Sequence, residues 1–191
     1  LRPFPALSGP GCEVPATQVD LWCWVGGADR GRITHLARAF TRRVGSAFRR
    51  IRAVDGSSFV AVQQWVHDLD RFEAMSEGDG DNIIGRRRCD NEELDEAPVS
   101  AHVKRTAQES FDPEAFVVRR SMPWADASGE GLMFVAFGNS LDAFEAQLRR
   151  MTGQEDQVID GLFRFTRPVS GSYFWCPPVA DGNLNLAALG L

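Results

Sequence analysis

The sequence has 191 residues, of which 43% are hydrophobic and 25% charged, and its formal net charge is −5. This is the balance of an ordinary globular protein with a real core, arranged as one large domain or two small ones. The negative charge gives no reason to expect a nucleic acid or an anionic membrane as partner, and no apolar run is long enough to span a bilayer.

The sequence also suggests neither secretion nor a structural metal site. The first residues, LRPFPALSGPG, lack the charged-then-apolar layout of a secretory signal. The four cysteines have no CxxC spacing and no histidine partner nearby, so the sequence predicts neither structural zinc nor a disulfide framework. We therefore expect a cytoplasmic protein.

The first predicted elements are a strand, a helix and a second strand. Residues 19–25 are rich in strand formers and are stopped by two glycines, and residues 33–44 place apolar side chains at helical spacing. Residues 58–66 alternate, which places one set of apolar side chains on each face of a strand. The two sets are Val60, Val62 and Val66 on one face and Phe59, Ala61 and Trp65 on the other.

The middle of the chain is predicted to be mostly irregular. A short amphipathic helix over Leu69–Met75 is followed by a turn over residues 76–82 and by a further helix from Asn82 toward Arg88. Residues 89–113 are polar, are interrupted by two prolines and show no regular period. A connection of this length in a compact domain is usually functional or disordered.

The last third of the chain again predicts strands around a helix. Residues 115–120 and 131–137 read as neighbouring strands, and residues 141–151 as a helix that is capped by Asn139 or Ser140 and stopped by Gly153. Strand material follows at residues 162–166 and 172–176. This order fits an α+β fold in which antiparallel sheets are covered by helices, although periodicity alone only permits it.

Four blocks of the sequence resemble the dye-decolourising haem peroxidases, in particular their bacterial B-type branch. They are IGRRRCDNEELDEAPVSAHVKR, VVRRSMPW, GLMFVAFGNSLDAFEAQLRRM and FRFTRPVSGSYFWCPP. The resemblance covers most of residues 57–191 in collinear order and, more weakly, residues 15–50. It implies ferredoxin-like units of the dimeric α/β-barrel type: a partial first unit over residues 1–56 and a second, haem-binding unit over residues 57–191.

The resemblance also implies the residues of a haem b site. His102 matches the proximal ligand of the haem iron, and Glu114 lies where some relatives carry the carboxylate that binds the ligand's other ring nitrogen. Without the resemblance, a single histidine in a polar loop is more often a surface or structural residue. His35 is expected at the edge of the predicted helix, and His67 is interpreted as structural.

A set of arginines completes the implied site. Arg119 matches the arginine above the iron, at a strand end that we expect to be buried, and the alternative is a structural salt bridge. Ser121 shares its face at a position where some relatives have asparagine, and either side chain could position a water, whereas Arg120 points away. Arg86 matches the arginine near a haem propionate. The apolar strand residues Met133, Phe134, Val135 and Phe137 are candidates for the cofactor wall or, more ordinarily, for core.

One family feature is missing from its expected place. Relatives carry a Gly-x-x-Asp-Gly tract whose aspartate is the acid–base group over the iron. Here residues 52–56 (RAVDG) mimic the tract with arginine in place of its first glycine. Asp55 is therefore the candidate distal acid–base residue, although it also matches the residues just before the strand.

The leading functional expectation is a haem peroxidase that reduces hydrogen peroxide and oxidises dyes, phenols or similar one-electron donors. A haem-binding or haem-handling protein with little peroxidase activity is the alternative, and composition alone would also allow a cofactor-free interaction module. In either haem-dependent case the resemblance implies a homo-oligomer. The tail over residues 183–191 is vaguely similar to tails that package relatives in nanocompartment shells, and a terminal strand is its other interpretation.

Overall fold

The structure is a computed structural model of the chain. It describes residues 2–19, 29, 31–32, 35, 57–180 and 183–187. The predicted strand over residues 19–25 and the predicted helix over residues 33–44 therefore lie almost wholly outside the described residues.

A single antiparallel sheet forms the framework of the described chain. Strand β3 (Ser58–His67) pairs with β6 (Gly129–Gly138) over eight registered residue pairs, from Phe59 opposite Gly138 to Val66 opposite Gly131. Two short strands share the free edge of β6, and two more share the free edge of β3. They are β4 (Val118–Arg119) and β5 (Met122–Asp126) beside β6, and β7 (Thr166–Pro168) and β8 (Ser172–Cys176) beside β3.

The helices lie in the two crossovers of this sheet. The first crossover carries α1 (Leu69–Glu73), α2 (Glu77–Ile84), α3 (His102–Arg105) and a 3₁₀ turn at Gln108–Ser110. The second carries α4 (Asp142–Met151) and a 3₁₀ turn at Gly161–Arg164. The elements follow one another as strand, helix, two strands, helix and strand. In the sheet, the last strand lies on one side of the first strand and the third lies on the other side, which is the ferredoxin-like arrangement. The α+β prediction is confirmed.

The N-terminal segment packs into the same core. Residues Leu7–Gly9 (β1) and Cys12–Val14 (β2) form a small antiparallel hairpin. The ring of Phe4 lies 4.7 Å from that of Tyr173, and the side chain of Gln18 donates to the carbonyl of Tyr173. A second small hairpin joins Val179–Ala180 (β9) to Asn183–Leu184 (β10). The predicted division into units at residues 56 and 57 stays a prediction.

The two faces of β3 separate as its alternation predicts. Ala61 and Trp65 pack in one core cluster with residues of α4, whereas Val60 and Val62 pack in another with Val135. The sheet therefore turns the Trp65 face towards α4. Within the described part of the chain no helix is long and apolar enough to cross a membrane.

Four predicted elements differ in the structure. The turn predicted over residues 76–82 is helix α2, because the Ser76 hydroxyl accepts from the backbone N–H of Asp79 and caps it. That helix ends at Gly85, whose φ of 88° is the left-handed conformation that glycine adopts easily, so no helix runs on to Arg88. Of the strand predicted at 115–120 only Val118–Arg119 forms, and the strand predicted at 162–166 is a 3₁₀ turn up to Arg164.

Candidate active site

His102 opens helix α3 instead of lying in a loop. Ala101 before it is fully buried, and the His102 side chain is 23% exposed. Its Nδ1 lies 2.8 Å from Oδ2 of Asp160, a carboxylate with no exposed surface that comes 58 residues later in the chain. The two residues join the first helical crossover to the second.

Asp160 is held rigidly by its own surroundings. Its second carboxylate oxygen accepts from the backbone N–H of Leu162 at 2.8 Å, which caps the 3₁₀ turn, and its backbone N–H donates to the carbonyl of Met151. The next residue, Gly161, donates to the carbonyl of Ser100, and a Cβ there would lie 3.0 Å from the carbonyl oxygen of Ile83. The absence of a side chain at Gly161 thus permits the close approach that brings Asp160 to His102.

The contact fixes which ring nitrogen of His102 is free. A carboxylate only accepts hydrogen bonds, so Nδ1 carries the proton and donates, and the lone pair of Nε2 is left for another partner. The sequence prediction that Glu114 supplies this carboxylate is wrong. Glu114 is exposed, and the buried position against the ring belongs to Asp160.

Arg105 anchors the other end of the same short helix. Its guanidinium is buried and binds both carboxylate oxygens of Asp156, at 2.6 and 2.8 Å, and it also donates to the carbonyl of Arg150. The paired arginine lowers the pKa of Asp156 to about 2. Helix α3 is thereby tied to the segment that follows α4, which holds His102 against the sheet.

A cavity with an enclosed volume of about 190 Å³ lies between the sheet and these helices. His102 and α4 form one wall and the Trp65 face of the sheet forms the other. The sheet wall consists of Gln63, Trp65, His67, Arg119, Leu132, Phe134 and Thr166. The helix wall consists of His102, Thr106, Phe144, Gln147, Leu148, Met151, Leu162 and Phe165.

The predicted distal residues are only partly brought together. Arg119 lines the cavity on β4, but it is exposed and not buried as predicted. Ser121 is not among the residues lining the cavity, and its hydroxyl accepts from the backbone N–H of Val135 at 3.4 Å. Asp55 lies outside the described residues. The acid–base role of Asp55 and the water-positioning role of Ser121 stay predictions.

The predicted propionate ligand lies away from the cavity. The guanidinium of Arg86 binds the carboxylate of Glu93 at 2.9 Å and the carbonyl of Asn91 at 3.0 Å. Arg86 is not among the cavity-lining residues, so its propionate role also stays a prediction. Of the four apolar residues named as candidate walls, Phe134 lines the cavity, and Met133, Val135 and Phe137 pack with the cluster on the opposite face.

His67 also lines the cavity, and its hydrogen bonds define its tautomer. The Thr166 hydroxyl donates to the carbonyl of Val66 at 2.9 Å, so it accepts from Nδ1 of His67, 2.6 Å away. Desolvation lowers the pKa of His67, which favours its neutral form. His67 therefore presents a neutral ring to the cavity.

A larger opening of about 720 Å³ lies elsewhere, between the β1–β2 hairpin and β7. None of the described residues that line it is a histidine. The cavity at His102 combines an imidazole whose second nitrogen is fixed, apolar walls and a cation, and it is therefore the candidate site. These are the groups that a haem requires from a protein, so the residues present fit that cofactor.

Sequence comparison gives an independent view of the chain. Residues 40–181 match the family described as Dyp-type peroxidase, C-terminal. The chain is similar to the dye-decolorizing peroxidase of Mycobacterium tuberculosis, with 32% identity over 134 residues that cover 65% of this chain and 39% of that protein. It is also similar to the dye-decolorizing peroxidase of Rhodococcus erythropolis, with 25% identity over 167 residues, 70% of this chain and 48% of that protein.

Solved structures show the same fold. The dye-decolorizing protein from V. cholerae superposes with a TM-score of 0.76 at 25% identity, covering 93% of this chain and 73% of that one. DyPB from Rhodococcus jostii superposes with a TM-score of 0.80 at 24% identity, covering 93% and 72%. A variant of the latter, in complex with heme, gives a TM-score of 0.80 at 23% identity with the same coverage.

The extent of these matches decides what they establish. The chain spans between about a third and a half of the length of the relatives matched by sequence. The family match, in contrast, covers 142 residues of 191, from 40 to 181. The chain belongs to the Dyp-type peroxidase family and carries its C-terminal domain.

Proposed function

We propose that this chain binds haem b in the cavity between sheet and helices, with Nε2 of His102 as the iron ligand, and serves as a peroxidase. The observation that carries the proposal is the hydrogen bond of His102 to the buried Asp160. A haem-ligating histidine needs its other nitrogen held in this way, because the contact fixes the tautomer and raises the basicity of the ligand. The family and the heme complex of a neighbour support the same cofactor.

The residues of the chain would divide the work around this cofactor. Haem supplies the redox chemistry when it is bound. Asp160 keeps a proton on Nδ1 of His102, and the apolar walls formed by Leu148, Phe134 and their neighbours exclude water. Arg119 places a fixed positive charge at the edge of the cavity, where it can hold a peroxide anion and stabilise negative charge on oxygen.

The proposed reaction is reduction of hydrogen peroxide coupled to oxidation of dyes, phenols or similar one-electron donors. The names of the relatives support this substrate class. A haem-handling protein with little peroxidase activity is the second candidate. It is favoured by Arg52, which stands where the family tract has its first glycine.

Four further proposals remain. The sequence predicts a cytoplasmic location. The resemblance implies a homo-oligomer, a division into units at residues 1–56 and 57–191, and a cargo role for the tail over residues 183–191. Within that tail the structure describes residues 183–187, of which Asn183–Leu184 form a strand. Co-purification with a shell protein that survives deletion of residues 183–191 would remove the cargo role.

Haem titration of purified protein tests the proposal. We expect the wild type to develop a Soret band with one haem per chain, His102→Ala to lose most of its affinity, and exogenous imidazole to restore the band. His35→Ala is the matched control, because His35 is exposed and does not line the cavity. A His102→Ala protein with unchanged affinity and spectrum would refute the assignment.

Rapid mixing of the ferric protein with peroxide separates the two candidate functions. A fast change of the haem spectrum, followed by return to the ferric state when a phenol is added, identifies the peroxidase. Haem binding without that change identifies the haem-handling protein.

A further inference from the structure

We infer that Gln63 is a positioning residue of this cavity, whose carboxamide donates a hydrogen bond to an oxygen acceptor held on the sheet side. The acceptor is either a carboxylate of the cofactor or an oxygen of a small oxidant bound beside it. This inference rests on the proposed haem site and adds to it a polar contact on the wall opposite His102.

The first observation is an unpaired donor in a dry place. Gln63 is 1% exposed and lines the cavity, yet its Nε2 has no hydrogen-bond partner within the described part of the chain. Buried polar groups in folded proteins are nearly always paired, because a lost hydrogen bond is not replaced by water. An orphan amide that faces a cavity therefore points to a partner that occupies the cavity.

Among the described residues, the neighbours of Gln63 within the sheet are apolar. On the same face its neighbours along β3 are Ala61 and Trp65, and the residue opposite on β6 is Phe134. Across the cavity the amide NH₂ of Gln147 donates to the carbonyl of Ala115 at 2.7 Å, and the Gln63 amide makes no hydrogen bond to the Gln147 oxygen. The Gln63 amide thus lies in the cavity wall with no acceptor bound to it within the described chain.

A second unpaired donor indicates the chemistry of the occupant. Trp65 follows Gln63 on the same face of β3 and also lines the cavity, and its indole N–H has no partner among the described residues. An indole nitrogen can only donate. Two neighbouring donors without bound acceptors favour a ligand that presents oxygen lone pairs. Because the Gln63 amide is neutral, it can donate to a carboxylate without the cost of burying a second charge.

The test compares Gln63→Leu with Gln64→Leu in haem-loaded protein. Gln64 is the next residue of β3 and faces the other side of the sheet, so it is the matched control. Two readouts are used: the carbon monoxide stretching frequency of the ferrous protein, and the rate at which haem is lost to an excess of a haem-scavenging protein. Gln63→Met repeats both measurements, in case Gln63→Leu does not fold.

The two sources of the acceptor give different results. A cofactor carboxylate predicts that Gln63→Leu loses haem about tenfold faster, the effect of one hydrogen bond. That acceleration disappears when haem dimethyl ester replaces haem. An oxygen beside the iron predicts instead a shifted carbon monoxide band with an unchanged rate of haem loss.

Two results would overturn the inference. The first is that Gln63→Leu and Gln63→Met bind haem and give the same values as Gln64→Leu in both measurements. This result overturns the inference and leaves the proposed function standing. A wild type that develops no Soret band with haem overturns the proposed function and this inference together.

Discussion

Replacement of Asp160 gives the sharpest prediction, because one carboxylate serves both the fold and the site. In Asp160→Ala two donors, Nδ1–H of His102 and the backbone N–H of Leu162, lose their acceptor. Each buried donor without a partner costs about 1–3 kcal/mol, so we expect the free energy of unfolding to fall by about 2–6 kcal/mol. Urea unfolding of the haem-free protein measures this loss.

Asp160→Asn separates the two roles. The amide oxygen can still accept from Leu162, but the amide NH₂ then faces His102 and obliges Nδ1 to accept. The ring proton moves to Nε2, the nitrogen proposed to bind iron. We therefore expect haem affinity to fall about 10–100-fold, or about 1.4–2.7 kcal/mol, with a smaller loss of stability than in Asp160→Ala.

The assays are the rate of haem loss and the iron–histidine stretching band of the ferrous protein. Glu114→Gln is the matched control, since it also neutralises an acid but at an exposed position. An Asp160→Asn protein that keeps both values within twofold of the wild type would show that the carboxylate does not tune the ligand.

Three further outcomes follow from the same contacts. Asp156→Asn should lower the free energy of unfolding by about 1 kcal/mol at neutral pH, since the Asp156 carboxylate is 45% exposed and solvent screens its pair with Arg105. In the wild type this contribution is lost as the pH falls from the pKa of Asp156 in the unfolded chain towards about 2, and urea unfolding at a series of pH values measures the loss. Leu148→Ala should cost about 3–5 kcal/mol in the haem-free protein, whereas the exposed Leu184→Ala should change the unfolding midpoint little. His67 has a lowered pKa, so its neutral form stabilises the fold above about pH 6.5; that contribution is lost as the pH falls from there to its folded pKa, and His67→Gln should remove this dependence.

Much of the framework was predictable because it rests on local periodicity. The alternation over residues 58–66 places Ala61 and Trp65 on the inner face of β3, and the helix face of Phe144 and Leu148 meets them in one core cluster. These assignments depend only on the repeats of 2 and 3.6 residues. The turn predicted over residues 76–82 is a helix in the structure, because the Ser76 cap outweighs the low helix propensity of the residues that follow it.

The site was predictable only at His102, where the resemblance named the residue. Its partner was missed, since Asp160 lies 58 residues away and nothing in the spacing distinguishes it from Glu114, twelve residues on. A usable signal was present: Asp160 precedes Gly161 and caps the next turn, which is a position that fixes a carboxylate in space. Contacts between the two crossovers are set by tertiary packing, which no local pattern encodes.

Among the described residues, the polar groups on the helix side of the cavity are held by more protein contacts than those on the sheet side. On the helix side His102 is oriented by a buried carboxylate, and its helix is tied down by Arg105. On the sheet side Arg119 is exposed, and the amide of Gln63 has no hydrogen-bond partner within the described chain. The proposed haem binding and the proposed peroxide reduction should therefore respond to different substitutions, the first to changes at His102 and the second to changes at Arg119.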